Sequence, residues 1–315
     1  MNTPIVGMPD LSAAYRLLPC RSHPCLDEVE SALRRWVREV GLVESEALVE
    51  RVDRCRLGEM TAWMFPMADD PLPIAKYLTW VTVADDILDD GQLRGQDMDA
   101  ETTVEVVRAA MSSGQPPGSW PDHRMTNALG DLWPEFTGAM SPAWQRRFRR
   151  HVVNLVDFGA RWSRYQNDGT RLDVALYVRE SRTDGVYESS LDMIEFATGL
   201  CVPDEVCRGT EFHRLWTAVM DVIVWTNDLV SADKDLRDDD MASLVVMLHG
   251  ETGSWPQAVE RAAGMVERRV RDLLDAELRY QADDTGWPGT GQWIETAKYM
   301  LHGLQQWNIV TPRYL

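Results

Sequence analysis

Four aspartates stand together near the end of an apolar helical pattern, in the segment WVTVADDILDDG (80–91). They are Asp85, Asp86, Asp89 and Asp90, and members one turn apart repel each other on a common helix face. The C-terminal end of a helix carries partial negative charge, so each exposed carboxylate there costs about 0.3–1 kcal/mol. A solvated acidic helix end is the plainer interpretation, but four carboxylates in one place favour a bound cation. Clustered oxygen ligands suit Mg²⁺, whose coordination is usually completed by water and substrate phosphate oxygens.

A second row of polar side chains lies in another apolar pattern, VIVWTNDLVSADKDL (222–236). Asn227, Ser231 and Asp235 are spaced by four residues, which places all three on one face of a helix. Their amide, hydroxyl and carboxylate oxygens could hold a further cation together with a bridging anion. Lys234 stands beside them and can meet a phosphate as a point charge. Such a row arises by chance when alone, but beside the aspartates it predicts a second metal site.

The elements that must position these side chains are helices. Period-2 alternation is scarce, so the sequence predicts an all-α fold of about ten to twelve helices. Without an internal repeat or a long Gly/Ser linker, residues 1–315 are expected to form one domain. Apolar residues recur at helical spacing in the segments 26–42, 44–65, 73–90, 99–111, 143–166, 174–181, 190–200, 212–236, 255–280 and 292–310.

The overall charge narrows the choice of partners. The chain has 50 Asp and Glu against 32 Lys and Arg, a net charge of −18, which disfavours nucleic acid and anionic membranes and favours metal ions. Neither a signal peptide nor an apolar stretch long enough for a membrane anchor is evident. The five scattered cysteines have no metal-site spacing and are expected to be reduced thiols. The sequence thus predicts a cytoplasmic protein with a small-molecule partner, and leaves a homodimer open.

The two motifs together resemble those of bacterial class I terpene synthases. DDILD (85–89) matches D-D-x-x-D, and NDLVSADKD (227–235) matches [N/D]-D-x-x-S-x-x-[K/R]-[E/D]. WNIVTPRY (307–314) is similar to the family's W-x-x-x-S-x-R-Y, with Thr311 in place of Ser. Arg182 stands 45 residues before Asn227 and resembles the arginine that senses diphosphate. The resemblance extends from about residue 60 to the C-terminus.

Three departures from the family pattern accompany these matches. Ala232 stands where many relatives have Tyr, and Thr82 replaces an aromatic residue common before the aspartates. Asp184 and Gly185 fit the family's linker and effector positions only with a one-residue shift.

The resemblance implies a class I terpene synthase helical bundle that binds a linear prenyl diphosphate through three Mg²⁺ ions. Two ions would lie at the aspartates and one at Asn227, Ser231 and Asp235. Loss of diphosphate would leave an allylic cation that cyclises to a terpene hydrocarbon or alcohol, behind a lid formed by the C-terminal segment. The residues implied in diphosphate binding are Arg182, Lys234, Arg313 and Tyr314.

Tryptophans near the motifs are candidates for the cavity wall, because aromatic faces attract a carbocation without capturing it. Trp80 precedes the aspartates, Trp225 precedes Asn227, and Trp307 opens the C-terminal motif. We assign these three a catalytic role beside that of Arg182, with Trp63 and Phe65 as weaker candidates. Each could instead only pack a helix interface.

Several alternatives stay open at this level. A chain-elongating prenyl diphosphate synthase needs two D-D-x-x-D motifs, and this chain has one; a class II cyclase needs D-x-D-D, which is absent. A non-enzymatic helical module would leave the shared face of Asn, Ser and Asp unexplained. Geranyl, farnesyl and geranylgeranyl diphosphates all remain candidate substrates, with farnesyl favoured because it is the commonest in the bacterial family.

Overall fold

The computed structural model describes residues 9–89, 100–168, 170, 173–237, 242–281 and 287–313. Within these ranges the regular structure is helical, which confirms the all-α prediction. The helices are α1 (Ser12–Tyr15), α2 (Leu26–Glu39), α3 (Glu46–Cys55), α4 (Leu57–Met64), α5 (Leu72–Asp89), α6 (Ala100–Ser112), α7 (Arg124–Ala139), α8 (Pro142–Asn167), α9 (Val174–Ser181), α10 (Gly185–Thr198), α11 (Asp204–Cys207), α12 (Thr210–Arg237), α13 (Leu244–Thr252), α14 (Trp255–Gln281) and α15 (Thr290–Val310), with a short 3₁₀ turn at Pro117–Ser119.

The described residues hold more α-helices than the ten to twelve expected. The continuous pattern over 44–65 breaks at Arg56, whose backbone is left-handed with φ of 54° and separates α3 from α4. In α7, Pro134 lies inside the helix and removes one backbone donor. Because a proline usually ends a helix, the sequence did not predict α7. The apolar residues of α13 occupy all of its faces, so that helix has no amphipathic period to detect.

The two motif helices lie at the centre of the bundle. Both α5 and α12 are buried along most of their length, as expected for helices that are apolar all round. α12 packs on α13, α14 and α15, while α5 packs on α2, α4 and α7. α10 contacts both of them and therefore connects the two motif helices. Among the described helices, none is long and apolar enough to cross a membrane.

The interface of α8 with α10 is held by a close backbone approach and by buried charges. A Cβ atom on Gly185 would lie 2.0 Å from the backbone nitrogen of Leu155, so only glycine fits where α10 begins. His151 Nδ1 lies 2.7 Å from an Asp192 carboxylate oxygen, and Arg147 donates to Glu195 at 2.5 Å. These contacts fix the axial position of α10, and with it the loop that precedes it.

Candidate active site

The C-terminal end of α5 carries two carboxylates that arginines from distant segments neutralise. Arg313 Nη1 donates to Asp86 Oδ2 at 3.2 Å and its Nη2 donates to Asp85 Oδ2 at 3.2 Å. Arg51, on α3, brings a second guanidinium to 3.7 Å from Asp86. The positive charge that the helix end was expected to require is thus supplied here by side chains. Asp89 ends α5, but its side chain lies outside the described part, as does the whole of Asp90.

The second row occupies one face of α12, as its spacing predicted. Ser231 donates its hydroxyl hydrogen to Asp235 Oδ2 at 2.6 Å, and both side chains are buried. Asn227 lies one turn earlier and is half-buried, as is Lys234. The row therefore offers a hydroxyl, a carboxylate and an amide oxygen along one line at the side of the helix.

These oxygen donors suit a hard divalent cation whose coordination shell is completed by water or by a bound ligand. Within the described ranges, no three Asp, Glu, His or Cys side chains are grouped closely enough to hold a metal ion by themselves. The side chains of Asp89 and Asp90 lie outside the described part, and two of the three donors on α12 are an amide and a hydroxyl rather than carboxylates. Mg²⁺ usually binds one or two protein carboxylates and takes its remaining ligands from water and phosphate, so the oxygen set suits it.

Asp228 is a buried carboxylate whose role the sequence did not reveal. It accepts a hydrogen bond from the Tyr177 hydroxyl at 2.6 Å and from the backbone N–H of Leu244 at 3.0 Å. Asp228 thereby joins α12 to α9 and to the start of α13. Because it is rotated by about 100° from Asn227, its two bonds fix the rotation that presents the second row.

Arg182 is held by α12 rather than standing alone ahead of α10. Its Nε and Nη2 each donate to Asp221 at 2.7 Å, and Asp221 is only 1% exposed. Arg269 of α14 also donates to Asp221, at 2.6 Å. The bidentate bond to Asp221 raises the pKa of Arg182, which is therefore fully charged. Its assignment to diphosphate binding stays a prediction. The bonds to Asp221 use two of the five guanidinium N–H groups, so that role does not require Asp221 to be released.

Asp184 is the N-cap residue of α10 and lies within electrostatic reach of Asp85 on α5. Its Oδ1 accepts from the Val186 N–H at 2.9 Å, an N-terminal cap. Burial raises its pKa to about 8, and the negative charge of Asp85 adds to that shift. Helices α5 and α10 are also in contact. The linker and effector roles of Asp184 and Gly185 stay predictions.

The three candidate tryptophans have different environments. Trp80 is fully buried, donates Nε1 to the Met125 carbonyl at 2.8 Å and stacks on Tyr77, which favours a packing role. Trp307 is also buried and donates to the Cys55 carbonyl at 2.7 Å. Trp225 differs, because its buried Nε1 has no hydrogen-bond partner among the described residues. Among the described residues, Trp225 is thus the candidate whose indole ring is not held by a hydrogen bond from its Nε1.

The C-terminal segment is docked onto the junction of α3 and α4. The Thr311 hydroxyl lies 3.4 Å from the same Cys55 carbonyl that Trp307 uses. The left-handed turn at Arg56 ends α3 there and leaves this carbonyl available to an outside donor. Two residues after Thr311, Arg313 reaches the α5 carboxylates; Tyr314, the other residue of the pair, lies outside the described residues.

An all-helical bundle in which an acidic helix end and an oxygen-bearing row lie on two central helices has the architecture of a class I terpene synthase. The sequence model of terpene synthase family 2, C-terminal metal binding, matches residues 76–272, a range that holds both motifs and Arg182. The chain belongs to this family. It is a metal-binding enzyme, a terpene cyclase that acts on prenyl diphosphates.

Similar proteins support the same class. The chain is 24% identical to pristinol synthase of Streptomyces pristinaespiralis over 96% of its length and 85% of the relative. It is 28% identical to (+)-T-muurolol synthase of Roseiflexus castenholzii, over 92% and 90% of the two chains. Among solved structures, α-eudesmol synthase superposes with a TM-score of 0.78 at 21% identity, covering 93% of this chain and 97% of the other. That structural similarity confirms the fold, and the named relatives agree with the terpene synthase resemblance of the motifs.

Proposed function

We propose that the protein is a Mg²⁺-dependent sesquiterpene synthase that ionises farnesyl diphosphate and cyclises the resulting cation. The observation that carries this proposal is the contact of Arg313 with Asp85 and Asp86, which brings the C-terminal motif to the first metal motif. Two relatives, (+)-T-muurolol synthase and 7-epi-α-eudesmol synthase, are named as farnesyl diphosphate cyclases, which supports the choice of substrate.

The proposed metal ligands are the two oxygen rows. Three Mg²⁺ ions, when bound with the substrate, would neutralise its diphosphate and stabilise the charge that develops as it leaves. The first row is Asp85, Asp86, Asp89 and Asp90, and the second is Asn227, Ser231 and Asp235.

Cationic side chains around the two rows would hold the leaving group. Arg313 already lies against the aspartates, with donors in the planar arrangement that suits phosphate oxygens. Lys234 stands on α12 beside the second row, and Tyr314 follows Arg313 in the chain. Arg182 would add a further charge, with the N–H groups that do not bond Asp221 directed at the phosphate. These groups would stabilise the departing diphosphate electrostatically.

Water exclusion follows from how the C-terminal segment is docked. Trp307 and Thr311 anchor it through the Cys55 carbonyl, and Arg313 extends it over the end of α5. A segment in this position covers the diphosphate and protects the cation from bulk water. Trp225 offers the cation an aromatic face within the bundle.

We propose further that residues 1–315 form one domain that acts in the cytoplasm; a homodimer remains a prediction.

The substrate is tested by incubating the protein with geranyl, farnesyl and geranylgeranyl diphosphate, with Mg²⁺ and with excess EDTA. We expect cyclic C15 products from farnesyl diphosphate by gas chromatography and mass spectrometry, and none in EDTA until Mg²⁺ is restored. Asp86→Asn should lose turnover, whereas the exposed Asp204→Asn on α11 controls for the removal of one charge and should keep it. Undiminished turnover in EDTA, or in Asp86→Asn, would contradict the metal site; cyclic products only from another chain length would contradict the substrate.

A further inference from the structure

Asn308 is a buried amide that no described residue satisfies. Asn308 is only 6% exposed, and neither Oδ1 nor Nδ2 meets a hydrogen-bond partner among the described residues. Burying an unpaired polar group costs about 1–3 kcal/mol, so a leucine of similar size would serve packing better. An amide kept at this cost calls for a ligand that bonds both an acceptor and a donor.

The position of Asn308 on α15 shows which way the amide faces. Gly303 and Trp307 lie on the face that meets α4: a Cβ on Gly303 would be 2.2 Å from the Trp63 carbonyl oxygen. His302 and Gln305 lie on another face, where they line a pocket of about 400 Å³ with α1. Asn308 is on neither.

Asn308 shares its face with apolar residues one and two turns earlier, Leu304 and Leu301, both of which are buried. Lys298 lies on a further face, where it bonds Glu277 of α14. That leaves the face of Asn308 for α10 and α12, which α15 also contacts. α10 is the helix that packs on the first motif helix, and α12 is the helix that carries the second row. Asn308 also lies five residues before Arg313, which binds the aspartates. The amide is therefore on the interior side of α15, close in the chain to the end of the site where diphosphate would be held.

We propose that Asn308 positions a single water molecule that captures the final carbocation, so that the main product is a terpene alcohol. This inference rests on the proposed function. Oδ1 accepts a hydrogen bond from the water and Nδ2 donates one to it, which uses both unpaired amide atoms. Asn308 acts through the water and is a positioning residue.

The reaction balances without another reagent. A lone pair of the water oxygen forms a bond to the cationic carbon, and one water proton is then transferred to the diphosphate released in the ionisation step. The products are an alcohol and hydrogen diphosphate. Because Asn308 holds one water while the surrounding face is apolar, capture by water is confined to the carbon that comes to rest beside the amide.

The first test uses the wild-type protein and its cyclisation products in water enriched in ¹⁸O. We expect the main product to be an alcohol whose mass rises by the isotope difference. Cyclic hydrocarbons as the only products would overturn the inference while leaving the proposed function intact. Absence of any turnover of prenyl diphosphates would instead contradict the proposed function itself.

The second test compares Asn308→Leu with Gln305→Leu. Gln305 is the matched control, because it is also a buried amide on α15 with an unpaired oxygen among the described residues, but it faces the pocket beside α1. In Asn308→Leu we expect the ratio of alcohol to hydrocarbon to fall by about tenfold or more, with total diphosphate release within about threefold of wild type. Gln305→Leu should keep the wild-type ratio.

Two further readouts separate a water site from a structural role. Asn308→Ser keeps a hydroxyl that can hold water, so it should restore part of the alcohol fraction. Thermal unfolding of Asn308→Leu should occur at the wild-type temperature or above, because an unpaired amide has been removed. An unchanged product ratio in Asn308→Leu, or an increase in KM with the ratio unchanged, would contradict the proposal; the second result would show that the amide binds substrate diphosphate.

Discussion

The interface of α8 with α10 and the end of α5 both hold several charges, but they hold them in different ways. At the interface, Arg147 pairs with Asp192 and Glu195, and His151 bonds Asp192 from the other side, all from neighbouring turns of two packed helices. At the end of α5, the arginine that bonds both aspartates is Arg313, which comes from beyond the end of α15. Arg51 of α3 lies farther away, at 3.7 Å from Asp86. The first set of pairs cannot separate without separating two helices.

The fold uses one kind of charge pair for support and another kind at the candidate site. A charge pair formed by two rigid helices holds the fold in one arrangement, whereas a pair that depends on a terminal segment can exchange partners at small cost. The aspartates of α5 belong to the second kind, which agrees with their proposed role as metal ligands in a transient substrate complex. The buried polar atoms of Trp225 and Asn308, which meet no partner within the described ranges, extend the same contrast, because the charged groups of the supporting interface are bonded.

The largest effect on stability is expected from the supporting interface. Arg147→Met removes the partner of two buried carboxylates and should lower the free energy of unfolding by about 3–5 kcal/mol. Urea unfolding followed by circular dichroism measures this loss. As a control, Arg214→Met removes the partner of the exposed Glu211 and should change stability by less than about 1 kcal/mol. Equal losses in the two variants would contradict the supporting role.

A substitution in the candidate site should change stability little and turnover strongly. Ser231→Ala removes a proposed ligand and one hydrogen bond to Asp235, so the free energy of unfolding should change by only about 1 kcal/mol. Turnover of the prenyl diphosphate should fall by about 10²–10³-fold, as when one electrostatic stabiliser of a transition state is lost. Steady-state kinetics and urea unfolding on the same preparation check both numbers, and wild-type turnover would remove Ser231 from the site.

Two tryptophans are expected to separate packing from function in the same way. Trp80→Phe loses the bond to the Met125 carbonyl and should destabilise the protein by about 1–3 kcal/mol without changing the product pattern. Trp225→Phe breaks no indole bond among the described residues and should change stability less, but alter the ratio of products. Thermal unfolding and gas chromatography distinguish the two. A product shift in Trp80→Phe alone would reverse these assignments.

The smallest effect is a pH dependence of the supporting interface. Burial raises the pKa of Glu195 to about 7 from an ordinary value of 4.5, although Arg147 opposes the shift. Burial disfavours the charged form of His151, but Asp192 and Glu188 outweigh it and raise its pKa. Because both folded-state pKa values are raised, both groups stabilise the fold at low pH, and that contribution is lost as the pH rises.

The sign gives a measurable window. The Glu195 contribution is complete below about pH 4.5 and is lost as the pH passes about 7. The wild-type free energy of unfolding should therefore lose a component on the order of 1 kcal/mol between these values. The free energy of unfolding of Glu195→Gln should fall less over the same pH interval, whereas that of the exposed Glu211→Gln should follow the wild type. If Glu195→Gln kept the wild-type pH dependence, other groups would be responsible for that dependence.

Residue types and spacing alone predicted the two motif rows and the helical class. A helix repeats every 3.6 residues, so Asn227, Ser231 and Asp235 had to share a face wherever the helix lay. The roles of Trp80 and Asp228 were not predictable in this way, because they depend on which neighbour each face of a helix meets. The same limit applies to Arg182: its position in the chain suggested a phosphate contact, and the structure shows a bond to Asp221.

The supporting charges were missed for a related reason. His151 and Asp192 are 41 residues apart, on helices whose patterns gave no sign that they would pack together. The break at Arg56 was also missed, since arginine rarely takes a left-handed conformation and carries no turn signal.

The bond from Trp307 to the Cys55 carbonyl spans 252 residues of the chain. During synthesis, the turn at Arg56 and the aspartates of α5 emerge long before the segment that covers them. The contact of Arg313 with the aspartates consequently cannot form until residue 313 has left the ribosome. A partly made chain would present its aspartates without the proposed cover. Catalytic competence would thus be acquired only after most of the bundle has had time to form.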